Sequence, residues 1–389
     1  MRSFISQYGR LIIGRGGSAL LQAATLVALA RLSSIKDFGI YATGVALGAI
    51  CIGVFGAGLP TLVLRTEARD STGLAGSALM IGALGAGATG GVVAVVLALI
   101  VPAAPGSIIT AAAIFAASEL WLNLVQNVLL GTQQEKLATW IIVLRRAVPL
   151  AVLLLAASVS WSSYEGFFLG SILISLGSLL AVWRFRRRVT TLRNLWTLAR
   201  HFWLANIASM FQQLDVIFIR QGIGNGPAAA YAAAFRLASP IHIVTTAITA
   251  KLVPALAAED DMAHRTVRQR KYMLTGVAYS VLVLVASPAA GIIGPVLLGA
   301  QYEEYHWVFV LTLVNSAFSV LNQIQAAILY AYGRARVVAR ATIISVVLGL
   351  ALVVVGAAIG SLIIAVAGTI SIQVILVICL AVLLRKGNR

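Results

Sequence analysis

The sequence predicts an all-α integral membrane protein of about 12 transmembrane helices, and three observations carry that prediction. Of 389 residues, 60% are hydrophobic and 11% charged, against roughly 25% charged in soluble domains. The apolar residues gather into long segments, most with the ~20 residues that cross hydrocarbon as a helix. Basic residues collect in alternate connections between these segments.

The segments fall near residues 11–31, 38–64, 72–101, 108–130, 137–160, 164–183, 202–220, 227–256, 272–298, 305–332, 337–357 and 360–384. No small-residue cleavage site follows the first, so it is expected to be a retained helix and not a removed signal peptide. The fourth carries Glu119 within its apolar run. The fifth contains Arg145 and Arg146; starting it after them would leave Ala147 to Ser160, too short to span, so both arginines belong to the helix. The seventh contains Asp215 and the eighth Arg236. Prolines 60, 149, 240, 254 and 295 lie within or at the ends of spans and mark expected flex points or tolerated kinks.

The net charge of +17 is informative through its distribution. Counted alternately from the inside, the connections leave Arg31, Lys36 and Arg220 on the outer side. Arg15, Arg145, Arg146 and Arg236 fall within spans, and the other basic residues lie inside. Both termini are therefore expected in the cytoplasm. The runs Arg184 to Arg200 and Arg265 to Lys271 are expected to face anionic phospholipid headgroups, which removes nucleic acid as a partner. Cys51 and Cys379 both fall inside spans, so neither a disulfide framework nor a CxxC metal site is expected. The sequence contains no HExxH, no GxxxxGKS and no evident nucleophile with its base. No catalytic residue, cofactor or metal is expected, and the chain does not read as an enzyme.

The chain repeats at about half its length. LNLVQNVLLG at 122–131 is echoed by LNQIQAAILYAYG at 321–333, an offset of 199 at the shared LNxxQ. FGIYATGVAL at 38–47, followed by Pro60, is echoed more weakly by AAAYAAAFRL at 228–237, followed by Pro254. The expected domains are six-helix bundles at 1–195 and 196–389, parallel because six is even.

Three stretches carry a resemblance: LARLSSIKDFGIYATGVALGAICIGVFGAGLPTLVLR (29–65), LDVIFIRQGIGNGPAAAYAAAFRLASP (214–240) with LVPALA (252–257), and LLGAQYEEYHWVFVLTLV (297–314). Together they resemble the polysaccharide flippases of the multidrug/oligosaccharidyl-lipid/polysaccharide exporter superfamily, nearly end to end. The resemblance implies two bundles around a positively charged central cavity in a bacterial inner membrane protein. It implies a flippase carrying undecaprenyl-diphosphate-linked oligosaccharide to the outer leaflet by alternating access, with ion coupling. Polysaccharide polymerase machinery is a partner it allows. Competing readings are a multidrug or cation extruder of the same superfamily, a membrane-embedded glycosyltransferase or polymerase, and a non-transporting scaffold of an envelope assembly complex.

Ionisable residues inside a bilayer are costly and usually face a bundle interior or aqueous path. Arg15, between glycines in GRGGS, is expected either to snorkel to the inner headgroups or to contact a substrate anion. Arg145 and Arg146 are both candidates for substrate binding. They point about 100° apart, and the residues sharing their stripes assign Arg145 to the lipid side and Arg146 to the inward side. Asp215 and Arg236, at similar depths on consecutive helices, are expected to pair. That pair is either structural or a protonatable Asp215 that releases Arg236 for a phosphate. Glu119 heads a stripe with Asn123 and Gln126, and Asn322 belongs to a similar stripe with Asn315, Ser319 and Gln325. These amides serve either interhelical hydrogen bonds or sugar hydroxyls, and Glu119 is a second candidate for ion coupling. Four arginines against two carboxylates within the spans favour an anionic substrate over a cationic one.

Overall fold

A computed structural model describes residues 2–66, 74–183, 185, 196, 199, 203, 207, 210–257, 261–332 and 334–387, and the described residues form helices and turns without a strand. Nine of the described helices are long and apolar enough to cross a membrane. The chain divides into two compact units, Met1–Ile217 and Phe218–Arg389. The expected division near residue 195 and much of the expected seventh span lie outside the described residues.

In the first unit, α1 spans Arg2–Leu32, α2 Ile35–Phe55, α3 Leu59–Thr66, α4 Leu74–Ile100, α5 Gly106–Gly131, α6 Glu135–Ser158 and α7 Ser163–Val182. Ser34 caps α2, its side chain accepting from the Asp37 N–H at 3.1 Å, and Asp37 complements the helix dipole in the first turn. The single span expected at 38–64 is broken into α2 and α3. Ala57 (φ 49°) and Gly58 (φ 68°) take the left-handed conformation there, which glycine adopts freely. Pro60 falls in the first turn of α3, where its missing N–H costs no helical bond. α1 begins well before the expected residue 11, because the polar residues at its start continue the helix.

α5 is the centre of this unit and packs against α2, α3, α4, α6 and α7. Small residues make the approach possible. A Cβ on Gly44 or Gly48 would meet the Cβ of Ala112 or Ala116 at 2.5 or 2.6 Å, so α2 and α5 cross with their backbones close. α6 and α7 meet the same way: a Cβ on Gly170 would lie 2.5 Å from Pro149 Cα.

Into the second unit runs α8, Leu214–Gly222, followed by α9 Asn225–Leu237, α10 Ser239–Ala257, α11 Met262–Leu298, α12 His306–Ala331, α13 Ala335–Ala358 and α14 Leu362–Gly387, with a 3₁₀ segment at Ala300–Tyr305. Here too an expected single span, 227–256, is two helices. Pro240 has no N–H to give the Arg236 carbonyl, and the helix turns at Ala238. α12 is the centre, packing against α9, α10, α11, α13 and α14.

The two units thus use one packing scheme. The central helices start at Gly106 and His306, and the helices after them at Glu135 and Ala335, two hundred residues apart in each case.

Candidate functional site

The α5–α6 hairpin brings together most of the charge described inside the first unit. It is closed by Gln133, held at φ 59°, and by the Gln134 N–H bonding to the Leu129 carbonyl at 2.8 Å. Arg146 on α6 meets Glu119 on α5 end on: the two terminal guanidinium nitrogens donate one to each carboxylate oxygen at 2.8 Å. Arg146 is 7% exposed and Glu119 18%. Phe115, one turn before Glu119, offers its ring face 5.7 Å from the Arg146 guanidinium carbon, within the range of a cation–π contact.

Behind Phe115 stands an aromatic cluster from three helices. Its centroid is 5.6 Å from Phe167 on α7 and 6.4 Å from Tyr41 on α2. Tyr41 in turn meets Tyr164 and Phe167 at 5.7 and 5.8 Å, and the Tyr164 hydroxyl donates to Ser33 Oγ at 3.1 Å. These rings fix the side of α5 from which the arginine is held.

Arg145 departs from its expected lipid-facing orientation. Its side chain is half-buried and turns towards α5, where one terminal nitrogen donates to Gln126 Oε1 at 3.4 Å. Helical side chains lean towards the helix N-terminus, so Arg145 reaches back towards the hairpin turn, where Gln126 lies. Ile141 and Val148, which share a stripe of α6 with Arg145, pack in or against the core of the unit and do not face lipid. Arg15 on α1 is exposed and lies within electrostatic reach of Arg145, as do Glu119 and Arg146. Three arginines and one carboxylate therefore share one neighbourhood. The Nε atoms of Arg145 and Arg146 are buried and have no acceptor among the described residues.

α1 is open beside Arg15. A Cβ on Gly16 or Gly17 would meet nothing within 4 Å, whereas one on Gly14 would meet Thr139 Cγ2 at 2.6 Å. The glycine before Arg15 seats α1 on α6, and the two after it leave the backbone uncovered.

The remaining predicted residues make other contacts. Asn123 is half-buried and accepts from the Asn127 amide on its own helix at 3.0 Å. In the second unit Asn322 donates to the Gln373 side chain on α14 at 2.7 Å. The amide oxygens of Asn315, Asn322 and Gln325 are buried and lack a donor among the described residues. Asp215 is buried in the first turn of α8, accepting from the Val216 N–H at 2.6 Å, and Arg236 is half-buried in the last turn of α9. The two belong to different compact units.

Sequence reasoning missed three participants: the Glu119–Arg146 pairing, Gln373, and the aromatic support from Tyr41, Phe115, Tyr164 and Phe167. At the LNxxQ offset, the counterparts of Glu119 and Arg146 are Phe318 and Ser345, so the ion pair has no equivalent in the second unit.

No family model and no curated relative matches the sequence. Solved structures share the fold over nearly the whole chain. An inward-facing multidrug resistance MATE family transporter of the MOP superfamily superimposes with a TM-score of 0.63 at 15% identity, covering 97% of this chain and 94% of that one. The outward-facing conformation of a transporter of the same description gives 0.60 at 14%, covering 97% and 94%. A third is a MOP superfamily transporter from Pyrococcus furiosus, for which reverse polarity of the binding pocket suggests a different function; it gives 0.59 at 15%, covering 98% and 96%. The chain is an all-helical, multi-pass membrane protein with the fold of MOP superfamily transporters.

Proposed function

We propose that the protein is a transporter that works by alternating access on an anionic substrate, and that this substrate is a diphosphate-linked oligosaccharide lipid flipped across the bacterial inner membrane. The observation that carries the reading is the charge of the α1–α5–α6 neighbourhood, three arginines to one glutamate. Glu119 occupies both terminal nitrogens of Arg146, which leaves Arg145 and Arg15 as the cations to meet a substrate phosphate. Arginine remains charged in any surroundings and gives oxyanions forked, charge-assisted hydrogen bonds that replace their water. The uncovered backbone at Gly16 and Gly17 gives such a group room next to Arg15. In this reading Gln126, Asn123 and Asn322 serve the sugar or hold helices together. Glu119 is the residue whose protonation would release Arg146 and couple an ion to transport.

Support for alternating access comes from the fold, which other proteins adopt in inward-facing and outward-facing forms. Support for the oligosaccharide rests on the resemblance of residues 29–65, 214–257 and 297–314, with polysaccharide polymerase machinery as the partner it brings. A second reading, export of cationic drugs, is favoured by the multidrug transporters among the structures that share the fold. In that case Glu119 would be the substrate contact.

Binding to the purified protein separates the two. Undecaprenyl diphosphate should be retained by the wild type and lost from Arg145→Gln and Arg15→Gln, while Glu119→Gln retains it. Preferential binding of a cationic dye, abolished by Glu119→Gln and indifferent to Arg145→Gln, would replace the first reading with the second.

A further inference from the structure

α11 is longer than a bilayer requires. Its 37 residues extend about 55 Å, against roughly 30 Å of hydrocarbon. The large apolar side chains that it exposes run from Leu274 to Leu297, about 35 Å of helix, apart from Val267 nearer its start. The first turns, up to Lys271, therefore lie beyond the hydrocarbon, and they carry Arg265, Arg268, Arg270 and Lys271. α13 is built alike: Arg336 and Arg340 stand exposed one turn apart, ahead of an aliphatic surface that begins at Ile343.

These two basic helix starts are tied to each other. The guanidinium carbon of Arg265 lies 4.3 Å from the centroid of the Tyr332 ring, and the Tyr332 hydroxyl donates to Gln269 Oε1. Two residues after Tyr332, the Arg334 N–H bonds to the Leu329 carbonyl at 2.9 Å. Tyr332 is thus clamped onto the first turns of α11. The nearest described carboxylate in sequence, Asp261, is already engaged, by His264 Nδ1 at 2.5 Å and by the Ala263 N–H at 2.8 Å. Arg265 Nε is buried and finds no acceptor among the described residues.

We infer that the first turns of α11, together with Tyr332, Arg334, Arg336 and Arg340, form a site for one anionic phospholipid. Its phosphodiester is held by Arg265, Arg268 and Arg334, and its acyl chains lie along the aliphatic surface that starts at Leu274. A diffuse collar of cations attracts anionic lipid without fixing any molecule. What distinguishes this surface is a guanidinium fixed by an aromatic ring, with an unfilled N–H, beside further arginines and at the level where exposed apolar surface gives way to charge. The positive ends of two helix dipoles point the same way. The inference is independent of the transported substrate.

The test is native mass spectrometry of the full chain released from nanodiscs of phosphatidylcholine and phosphatidylglycerol. The wild type should carry one phosphatidylglycerol in preference to phosphatidylcholine. Arg265→Gln and Arg268→Gln should each weaken retention about fivefold, the effect of one cation near the membrane surface. Arg31→Gln, in the last turn of α1, should not. Equal retention of the two lipids, an equal loss in Arg31→Gln, or displacement of the lipid by inorganic phosphate would overturn the proposal. Val267→Trp tests the same point with every cation in place. Its fluorescence should be quenched more by brominated phosphatidylglycerol than by brominated phosphatidylcholine, and equal quenching counts against the site.

Discussion

Breaking the Glu119–Arg146 pair should have unequal consequences depending on which partner is removed. In Glu119→Ala, Arg146 keeps a charge that it cannot lose, 7% exposed and about 20 Å of helix from the hairpin turn. An uncompensated buried charge of this kind costs about 3–5 kcal/mol. In Arg146→Ala the survivor can take up a proton. What remains is a partly buried neutral acid short of one partner, a penalty of about 1–3 kcal/mol at most. Glu119→Ala should therefore be the more damaging change by about 2 kcal/mol. The double variant should be more stable than the sum of the singles predicts, because neither charge is stranded. Unfolding of the detergent-solubilised protein, followed by tryptophan fluorescence in a denaturant series, measures all three. Equal losses in the two single variants, or strict additivity in the double, would refute the reasoning and reduce the pair to a solvated contact.

Three further outcomes follow from the structure. Arg145→Gln removes a cation whose described hydrogen bond is long, 3.4 Å, so stability should change by less than about 1 kcal/mol even where binding of a diphosphate is lost; unfolding and binding measured on one preparation separate the two. Gly170→Ala should destabilise by about 1–3 kcal/mol, because its Cβ meets Pro149 Cα at 2.5 Å. Gly177→Ala, whose Cβ meets nothing within 4 Å, should stabilise α7 by about 0.5–1 kcal/mol, and thermal melts of the pair should move in opposite directions. Asp261 is held below the ordinary aspartate range by its hydrogen bonds to the His264 imidazole and the Ala263 N–H. A depressed folded value means that its capping contribution is present above the unfolded value and lost as pH falls through the folded one. The protection of amides in the first turn of α11, measured against their intrinsic exchange rate at each pH, should therefore fall on acidification through that range in the wild type and be low throughout in Asp261→Ala.

Hydropathy and the positive-inside pattern made the class of the fold legible, because a bilayer requires long apolar helices whatever their partners. The breaks at Ala57–Gly58 and Ala238 were harder to read. Each lies inside a continuous apolar run, and only the backbone conformation at one and a proline two residues further on at the other reveal the interruption. The Glu119–Arg146 pair was legible in principle. Glu119 lies fourteen residues before Gln133 and Arg146 thirteen after it, so on an antiparallel hairpin the two stand at one depth. The orientation of Arg145 was not legible from its stripe, because Ile141 and Val148 are as apolar against a neighbouring helix as against lipid. A long side chain directed towards its helix N-terminus also ignores the face that its Cα suggests.

The absence of an ion pair between Phe318 and Ser345 has a consequence for biogenesis. An arginine near the middle of a lone helix costs roughly 2.5–3.5 kcal/mol on insertion, and α6 carries two. Presented to the insertion machinery alone, α6 would be held back; presented with α5, it brings one charge already neutralised by Glu119. The α5–α6 hairpin should therefore enter the bilayer as a couple, whereas α12 and α13, with no such debt between them, are free to enter one after the other. Two copies of one packing scheme would then be assembled by different routes.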